Sequence, residues 1–241
     1  MSLENIKNDY FEFVIGITVK KENEIDNFVN ELFNHLPEKV LIVLFFDSSR
    51  DLSTFKKSEE LAKDKKNILI IYDDKTKNLA DAYFRLYKFC SNLNTKWVIS
   101  MNAGWRHKPE DLIKFVNLSD KENIDCVWGY REKANNKHHI LRKLISYFGG
   151  VISDIFLNIK IKDLTSGFYM IRTSVLKAEL LKKNHFISKF HFFDTELKFY
   201  LKNYSFEQVK IIYKTPNNSL PFKIILDSLK VLIYLFIKRV N

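Results

Sequence analysis

Only two cysteines, Cys90 and Cys126, occur in 241 residues. Both lie in apolar surroundings, so neither a disulfide framework nor a cysteine-held zinc site is expected. Six glycines and four prolines leave little room for a flexible linker, and no repeat or low-complexity tract is evident. One α/β core with a terminal extension accounts for the length. The first ten residues, Met1 to Tyr10, are polar and have no apolar signal core. Secretion is therefore not expected, and a reducing cytosol suits the free thiols. The longest apolar stretch, near the C-terminus, is broken by Asp227, Ser228 and Lys230 and is too short to span a bilayer. Positive charge is abundant: the net charge of +10 favours anionic partners such as anionic lipid or phosphorylated metabolites. The lysines are spread rather than blocked and no basic-aromatic module appears, so nucleic acid is not an expected partner.

The apolar pattern alternates between two periods. Phe11 to Val19, Val40 to Phe46, Asn67 to Tyr72 and Trp97 to Met101 read as strands. The second is nearly continuous, as expected when both faces of a parallel sheet are covered. Between them lie helical patterns through Ile25, Phe28, Val29 and Leu32, through Ser53 to Lys65, and through Leu79, Ala82, Tyr83, Leu86 and Tyr87. This order predicts a doubly wound, mostly parallel α/β sheet of the nucleotide-binding type. The second half predicts a strand over Ile124 to Tyr130, a charged loop over Glu132 to His139 and a helix over Ile140 to Leu157. A strand to Ile171, a helix near Asp194 to Lys202, a strand over Phe206 to Tyr213 and a basic-apolar helix from Leu220 to Val240 complete it. The expected division is a core domain over 1–219 and a C-terminal amphipathic helix over 220–241.

Two strand ends carry candidate chemistry. Trp97 to Met101 runs abruptly into the small, polar turn Asn102-Ala103-Gly104, with a proline-led helix after Lys108. Loops leaving the carboxyl edge of an α/β sheet are where ligands bind. Phe46 runs into Asp47-Ser48-Ser49-Arg50-Asp51, and a carboxylate fixed at a strand end is a hydrogen-bond acceptor for a ribose or base edge. Asp51 reads equally well as a helix cap, as does Asn78 in Asn78-Leu79-Ala80-Asp81-Ala82. A hard divalent cation wants carboxylate oxygens. Asn102 offers one neutral carbonyl and Gly104 has no side chain. Arg106 and Lys108 read either as fixed cations for an anionic leaving group or as exposed loop residues.

These segments resemble family 2 nucleotide-sugar glycosyltransferases of the GT-A fold, especially the polyprenyl-phosphate (dolichol-phosphate mannose synthase-like) branch. The loop at 101–111 resembles Met-Asp-Ala-Asp-x-x-His-x-Pro-Glu-Asp with both aspartates replaced, so the metal motif is degenerate. Asp47, Ser49 and Asp51 match Val-Asp-Asp-Gly-Ser-x-Asp, and Thr18 is retained from the first-strand motif. Asp163-Leu164-Thr165-Ser166-Gly167-Phe168 resembles Asp-x-Thr-Ser-Gly-Phe, the most specific match.

The resemblance implies transfer of a sugar from a UDP- or GDP-linked donor to a polyprenyl phosphate by a peripheral enzyme on the cytosolic membrane face, in cell-envelope synthesis. It implies nucleotide-binding roles for Thr18, Asp47, Ser49, Asn78, Asn102, Ala103 and Gly104. It implies an acceptor-phosphate site at Arg131, Arg142, Thr165 and Ser166, and catalytic roles for Arg106, Asp163 and Asp194. Mg²⁺ or Mn²⁺ use is expected to be weakened, with no protein metal ligand assigned. Restoring aspartates at 102 and 104 is expected to create Mn²⁺ binding. Two rivals stand beside this reading: a catalytically impaired binding or assembly protein, and a transferase to a sugar hydroxyl with Asp194 as base. A second copy of the chain or a membrane protein is a further expected partner.

Overall fold

A computed structural model describes residue 6 and residues 8–131, 156–213 and 221–240. Its centre is a seven-stranded sheet. The strands are β1 (Phe11–Thr18), β2 (Val40–Phe46), β3 (Ile68–Tyr72), β4 (Thr95–Ser100), β5 (Cys126–Arg131), β6 (Tyr169–Arg172) and β7 (Phe206–Ile211). Their order across the sheet is β3-β2-β1-β4-β6-β5-β7. β1 pairs in parallel with both β2 and β4, and β5 with β7, while β6 runs antiparallel to β4 and β5. The sheet is thus mostly parallel, as the alternation predicts. The reversal at β6 was not legible, because an alternation of apolar residues carries no strand direction.

Helices cover both faces. On one side lie α1 (Ile25–Phe33), α2 (Leu52–Asp64) and the short α4 (Leu112–Val116); on the other lie α3 (Leu79–Cys90), α5 (Thr173–Leu181), α6 (Phe193–Tyr200) and α7 (Phe222–Val240). All seven residues of β2 are buried, which explains its unbroken apolar run. Phe13, Phe28 and Phe46 are fully buried on the α1 side, each contributing about 1.5–3 kcal/mol. The proline after Lys108 opens a 3₁₀ turn, Pro109–Asp111, before α4. Asp111 is buried there because its carboxylate accepts from the Ile212 N–H and from Lys114.

The C-terminal helix has two apolar faces. Val231 and Leu235 are buried, whereas Phe222, Leu226, Leu229, Ile233, Ile237 and Val240 form an exposed stripe at three- and four-residue spacing. Among the described residues no helix is long and apolar enough to cross a membrane. The expected helix over Ile140–Leu157 lies almost wholly outside the described residues, as do the charged loop over Glu132–His139 and Arg142.

Candidate active site

The strand order turns back between β1 and β4, since β2 and β3 extend the sheet one way from β1 and β4 the other. Loops on the carboxyl side of such a point diverge and leave a crevice. A cleft of about 450 Å³ opens there, lined among others by Thr18, Asp47, Asn78, Asn102, Ala103 and Arg106. Residues from the ends of β1, β2 and β4 and the start of α3 therefore meet. Ser49 also lines it, while Gly104 lies just behind. Among the described residues, Lys20, Lys21, Lys77 and Arg106 face the cleft against two carboxylates, Glu22 and Asp47. That excess of positive charge suits a diphosphate.

The loops are held by short-range bonds. The Asp47 carboxylate accepts from the Ser49 N–H at 2.7 Å and its hydroxyl at 2.6 Å through one oxygen, leaving the other for a ligand. Ser49 thus orients Asp47. Asp51 is a helix cap, accepting from the Thr54 N–H at 2.9 Å, and Asn78 caps α3 by accepting from the Asp81 N–H at 3.1 Å. Arg106 is exposed at the cleft, and among the described residues its side chain has no ion-pair partner.

The loop after β4 is fixed by residues that the sequence reading passed over. The Asn102 N–H donates to His107 Nδ1 at 3.0 Å, and its side-chain oxygen accepts from the Tyr83 hydroxyl at 3.1 Å. His107 is buried, stacked on Phe168 with ring centres 5.0 Å apart. Burial, with the Arg131 charge nearby, pushes its pKa down to about 3, so the ring is neutral and Nδ1 is free to accept. Gly104 and Trp105 follow with φ of +81° and +59°, a left-handed turn that glycine takes without steric cost.

At Gly104 the restoring substitution would meet a neighbour. A Cβ there would lie 2.0 Å from Glu22 Oε2. An aspartate at 104 would require the Glu22 side chain to move aside and would sit at a positive φ that L side chains rarely adopt. Among the described residues no group of three or more His, Cys, Asp or Glu side chains could hold a metal by itself. The donor set suits only a cation that brings oxygen ligands from its anion.

The Asp163–Phe168 turn joins the cleft at Gly167. The added Cβ position at Gly167 lies 3.5 Å from the Asp194 carboxylate and 3.6 Å from Asn102 Oδ1, so the β4 loop, this turn and α6 meet at one point. Arg131 grips Asp163 bidentately, Nε to Oδ2 at 2.6 Å and Nη2 to Oδ1 at 2.8 Å, and Nη2 also donates to Thr165 Oγ1 at 2.6 Å. Burial alone would raise the Asp163 pKa, but the guanidinium overrides it and holds it at about 2. Asp163 is therefore an ionised brace for Arg131. The pair is neutral, and among the described residues the Nη1 edge of Arg131 is the part left for an acceptor phosphate. Ser166, expected to face the acceptor, is buried and its hydroxyl accepts from the Phe168 N–H.

Beneath the turn lies Lys198, fully buried, whose ammonium donates to the carbonyls of Asp163, Leu164 and Ser166 at 2.9, 3.2 and 2.7 Å. All three of its protons are used in shaping the motif. Asp194 is also buried and accepts from the Tyr169 hydroxyl at 3.1 Å. Burial raises its proton affinity, and the Lys198 charge pulls it partly back. Tyr169 bonds to Tyr87, which bonds to Ser100 at 2.9 Å, giving a continuous hydroxyl chain from β4 to Asp194. Glu196, beside it in sequence, is spent on the N–H groups of Ile187 and Ser188.

The profile of glycosyl transferase family 2 matches residues 13–180. The uncharacterized protein MJ0544 of Methanocaldococcus jannaschii is 31% identical over 171 residues, spanning 68% of this chain and 72% of that protein. Among solved structures, glucosyl-3-phosphoglycerate synthase of Mycobacterium tuberculosis with uridine diphosphate superimposes with a TM-score of 0.58 at 13% identity, covering 95% of this chain and 80% of that one. The same enzyme with Mn²⁺, UDP-glucose and phosphoglyceric acid gives 0.57 at 13% identity, over 95% of this chain and 79% of that one. At such identity the likeness concerns the fold.

Proposed function

The chain belongs to glycosyl transferase family 2, and from that premise we propose that it moves a sugar from a UDP- or GDP-linked donor to a polyprenyl phosphate at the cytosolic face of a membrane. One observation carries this reading: Thr18, Asp47, Asn102 and Arg106 converge on a single cleft at the turning point of the sheet. The free oxygen of Asp47 would accept from ribose hydroxyls or a base edge. Lys20, Lys21, Lys77 and Arg106 would bind the diphosphate as fixed charges. The sugar would then extend toward Gly167, between Asn102 and Asp194.

The acceptor phosphate oxygen attacks the anomeric carbon while the bond from that carbon to the diphosphate oxygen breaks. The nucleoside diphosphate leaves with the bonding electron pair, and the configuration inverts. No proton need be removed, because a phosphate is already anionic. Arg106 would neutralise charge developing on the leaving diphosphate. A divalent cation, when bound, would add to that neutralisation. Arg131, through its Nη1 edge, and Thr165 would meet the acceptor phosphate, with Arg142 as a further cation outside the described residues. The exposed stripe of α7, with Lys223 and Lys230 beside it, favours an anionic lipid surface.

A second reading rests on Asp194. A buried carboxylate with raised proton affinity is what a general base for a hydroxyl acceptor requires. The two readings separate in one experiment: labelled UDP- and GDP-sugars are offered with vesicles containing polyprenyl phosphate or with a soluble hydroxyl acceptor such as phosphoglyceric acid. Label in the lipid supports the first, and label only in the soluble acceptor supports the second. Nucleotide-sugar binding without transfer to either would point to the catalytically impaired rival.

A further inference from the structure

One acid interrupts the apolar run of the C-terminal helix. Asp227 stands on α7 in line with the buried Val231 and Leu235, at four-residue spacing, on the face opposite the exposed stripe. A carboxylate in that row is satisfied by a single segment of chain. Its Oδ2 accepts from the Ser188 hydroxyl at 2.7 Å, and Oδ1 and Oδ2 accept from the Lys189 N–H at 3.1 and 3.2 Å. Ser188 is buried, and its own N–H is held by Glu196 of α6 at 3.1 Å. The Lys189 carbonyl accepts from the Ala80 N–H, in the first turn of α3, at 3.5 Å. Three helices therefore fix this short segment. It leads directly to His191, which lines the nucleotide cleft together with Asn78, Tyr83 and Arg106. The His191 carbonyl accepts from the Asp194 N–H at 3.4 Å, where α6 begins. His191 is thus suspended between the Ser188–Lys189 clamp and α6, at the end of the cleft that leads to Gly167.

Among the described residues the His191 ring has no hydrogen-bond or ion-pair partner. Removal from water, and then the Arg106 charge, lower its pKa, so the ring is neutral at pH 7. A neutral imidazole carries one N–H donor, and a donor in a wall shared with Arg106 suits a phosphate oxygen. We propose that Asp227 is a positioning residue for this cleft: through the Ser188–Lys189 clamp it holds His191 where the imidazole donates to the distal phosphate of a bound nucleoside diphosphate. The inference rests on the nucleotide-binding reading of the cleft. It makes α7 a working part of the donor site, although none of its described residues lines the cleft. Without the Asp227 carboxylate two donors lose their partner. The segment that carries His191 can then shift, and a displacement of about 1 Å takes a hydrogen bond out of range.

The test is calorimetric binding of UDP, UMP, GDP and GMP to the full chain and to Asp227→Ala, Asp227→Asn, Ser188→Ala, His191→Ala and the double variant Asp227→Ala with His191→Ala. Urea unfolding of each variant shows that it is folded. His191→Ala should weaken the diphosphate about five-fold or more, as loss of one hydrogen bond does, while the monophosphate stays within about two-fold. Asp227→Ala should show the same selective loss, and it should add nothing in the double variant, because its effect passes through His191. Asp227→Asn should bind like the wild type, since one oxygen in the place of Oδ2 can accept from both donors. Ser188→Ala removes a single bond of the clamp and should give the same selective loss more weakly, which keeps the test open if Asp227→Ala does not fold. Undiminished diphosphate affinity in Asp227→Ala and Ser188→Ala would overturn the inference. Equal losses for di- and monophosphate, or additive losses in the double variant, would do so as well. Failure of the wild type to bind any of the four nucleotides would overturn the parent reading of the cleft along with it.

Discussion

Replacing Asp163 by asparagine keeps the shape of the side chain and removes its charge, which isolates the Arg131 pair. The carboxylate titrates at about 2 in the folded chain and near 3.9 when unfolded. Because the folded value is the lower one, the stabilisation is fully present above the unfolded value and disappears as pH falls through the folded one. Each pKa unit is worth about 1.4 kcal/mol, so the linked contribution at pH 7 is roughly 2–3 kcal/mol. Roughly half of it should remain at about pH 3 and little at about pH 2. The measurement is urea unfolding of wild type and Asp163→Asn from pH 7 downward. The difference in unfolding free energy should hold near its neutral value to about pH 4 and then shrink. A difference below about 0.5 kcal/mol at pH 7, or one that grows on acidification, would refute the ionised-brace role.

Asp47→Ala should weaken nucleotide binding by about 1–3 kcal/mol, because it removes a carboxylate acceptor whose orientation Ser49 fixes; unchanged affinity by calorimetry would remove Asp47 from the site. Arg131→Gln should raise the apparent KM for polyprenyl phosphate far more than that for the sugar donor, whereas equal effects on both would mean that Arg131 only braces the turn. Lys198→Met should destabilise the chain by about 3–5 kcal/mol, since three buried carbonyls lose their shared donor; a denaturation shift under about 1 kcal/mol would show that the turn does not depend on it. Leu229→Ser with Ile233→Ser on the exposed stripe should lower co-sedimentation with anionic vesicles while leaving nucleotide binding intact. Unaltered vesicle binding would exclude this stripe as the lipid contact.

The parallel part of the fold was legible because it is written in local chemistry. Val40 to Phe46 is apolar throughout because both faces are covered, and Asp51 and Asn78 precede helices that they do cap. The convergence of Asp47 and Asn102 follows from their places at strand ends, which topology brings to one edge. What escaped depends on contacts distant in sequence. Lys198 reads as an ordinary solvated helix lysine, and only the turn 32 to 35 residues before it reveals why it is buried. His107 stands in the loop motif, but its bond to Asn102 and stacking on Phe168 require the β6 neighbour to be known. The acceptor role of Ser166 came from the resemblance alone, and its burial in the turn before Gly167 depends on packing that the sequence does not show. Glu22 carries no signal of its own.

The proposed transfer requires a nucleotide sugar to bind in the cleft at the carboxyl edge of β1, β2 and β4, and calorimetric titration of the full chain with UDP-glucose and GDP-mannose, with and without Mn²⁺, measures this. Saturable binding of one of the two, already measurable without metal, strengthened by Mn²⁺ and weakened in Asp47→Ala, is the expected result. Heat indistinguishable from dilution for both donors, with and without Mn²⁺, would contradict it.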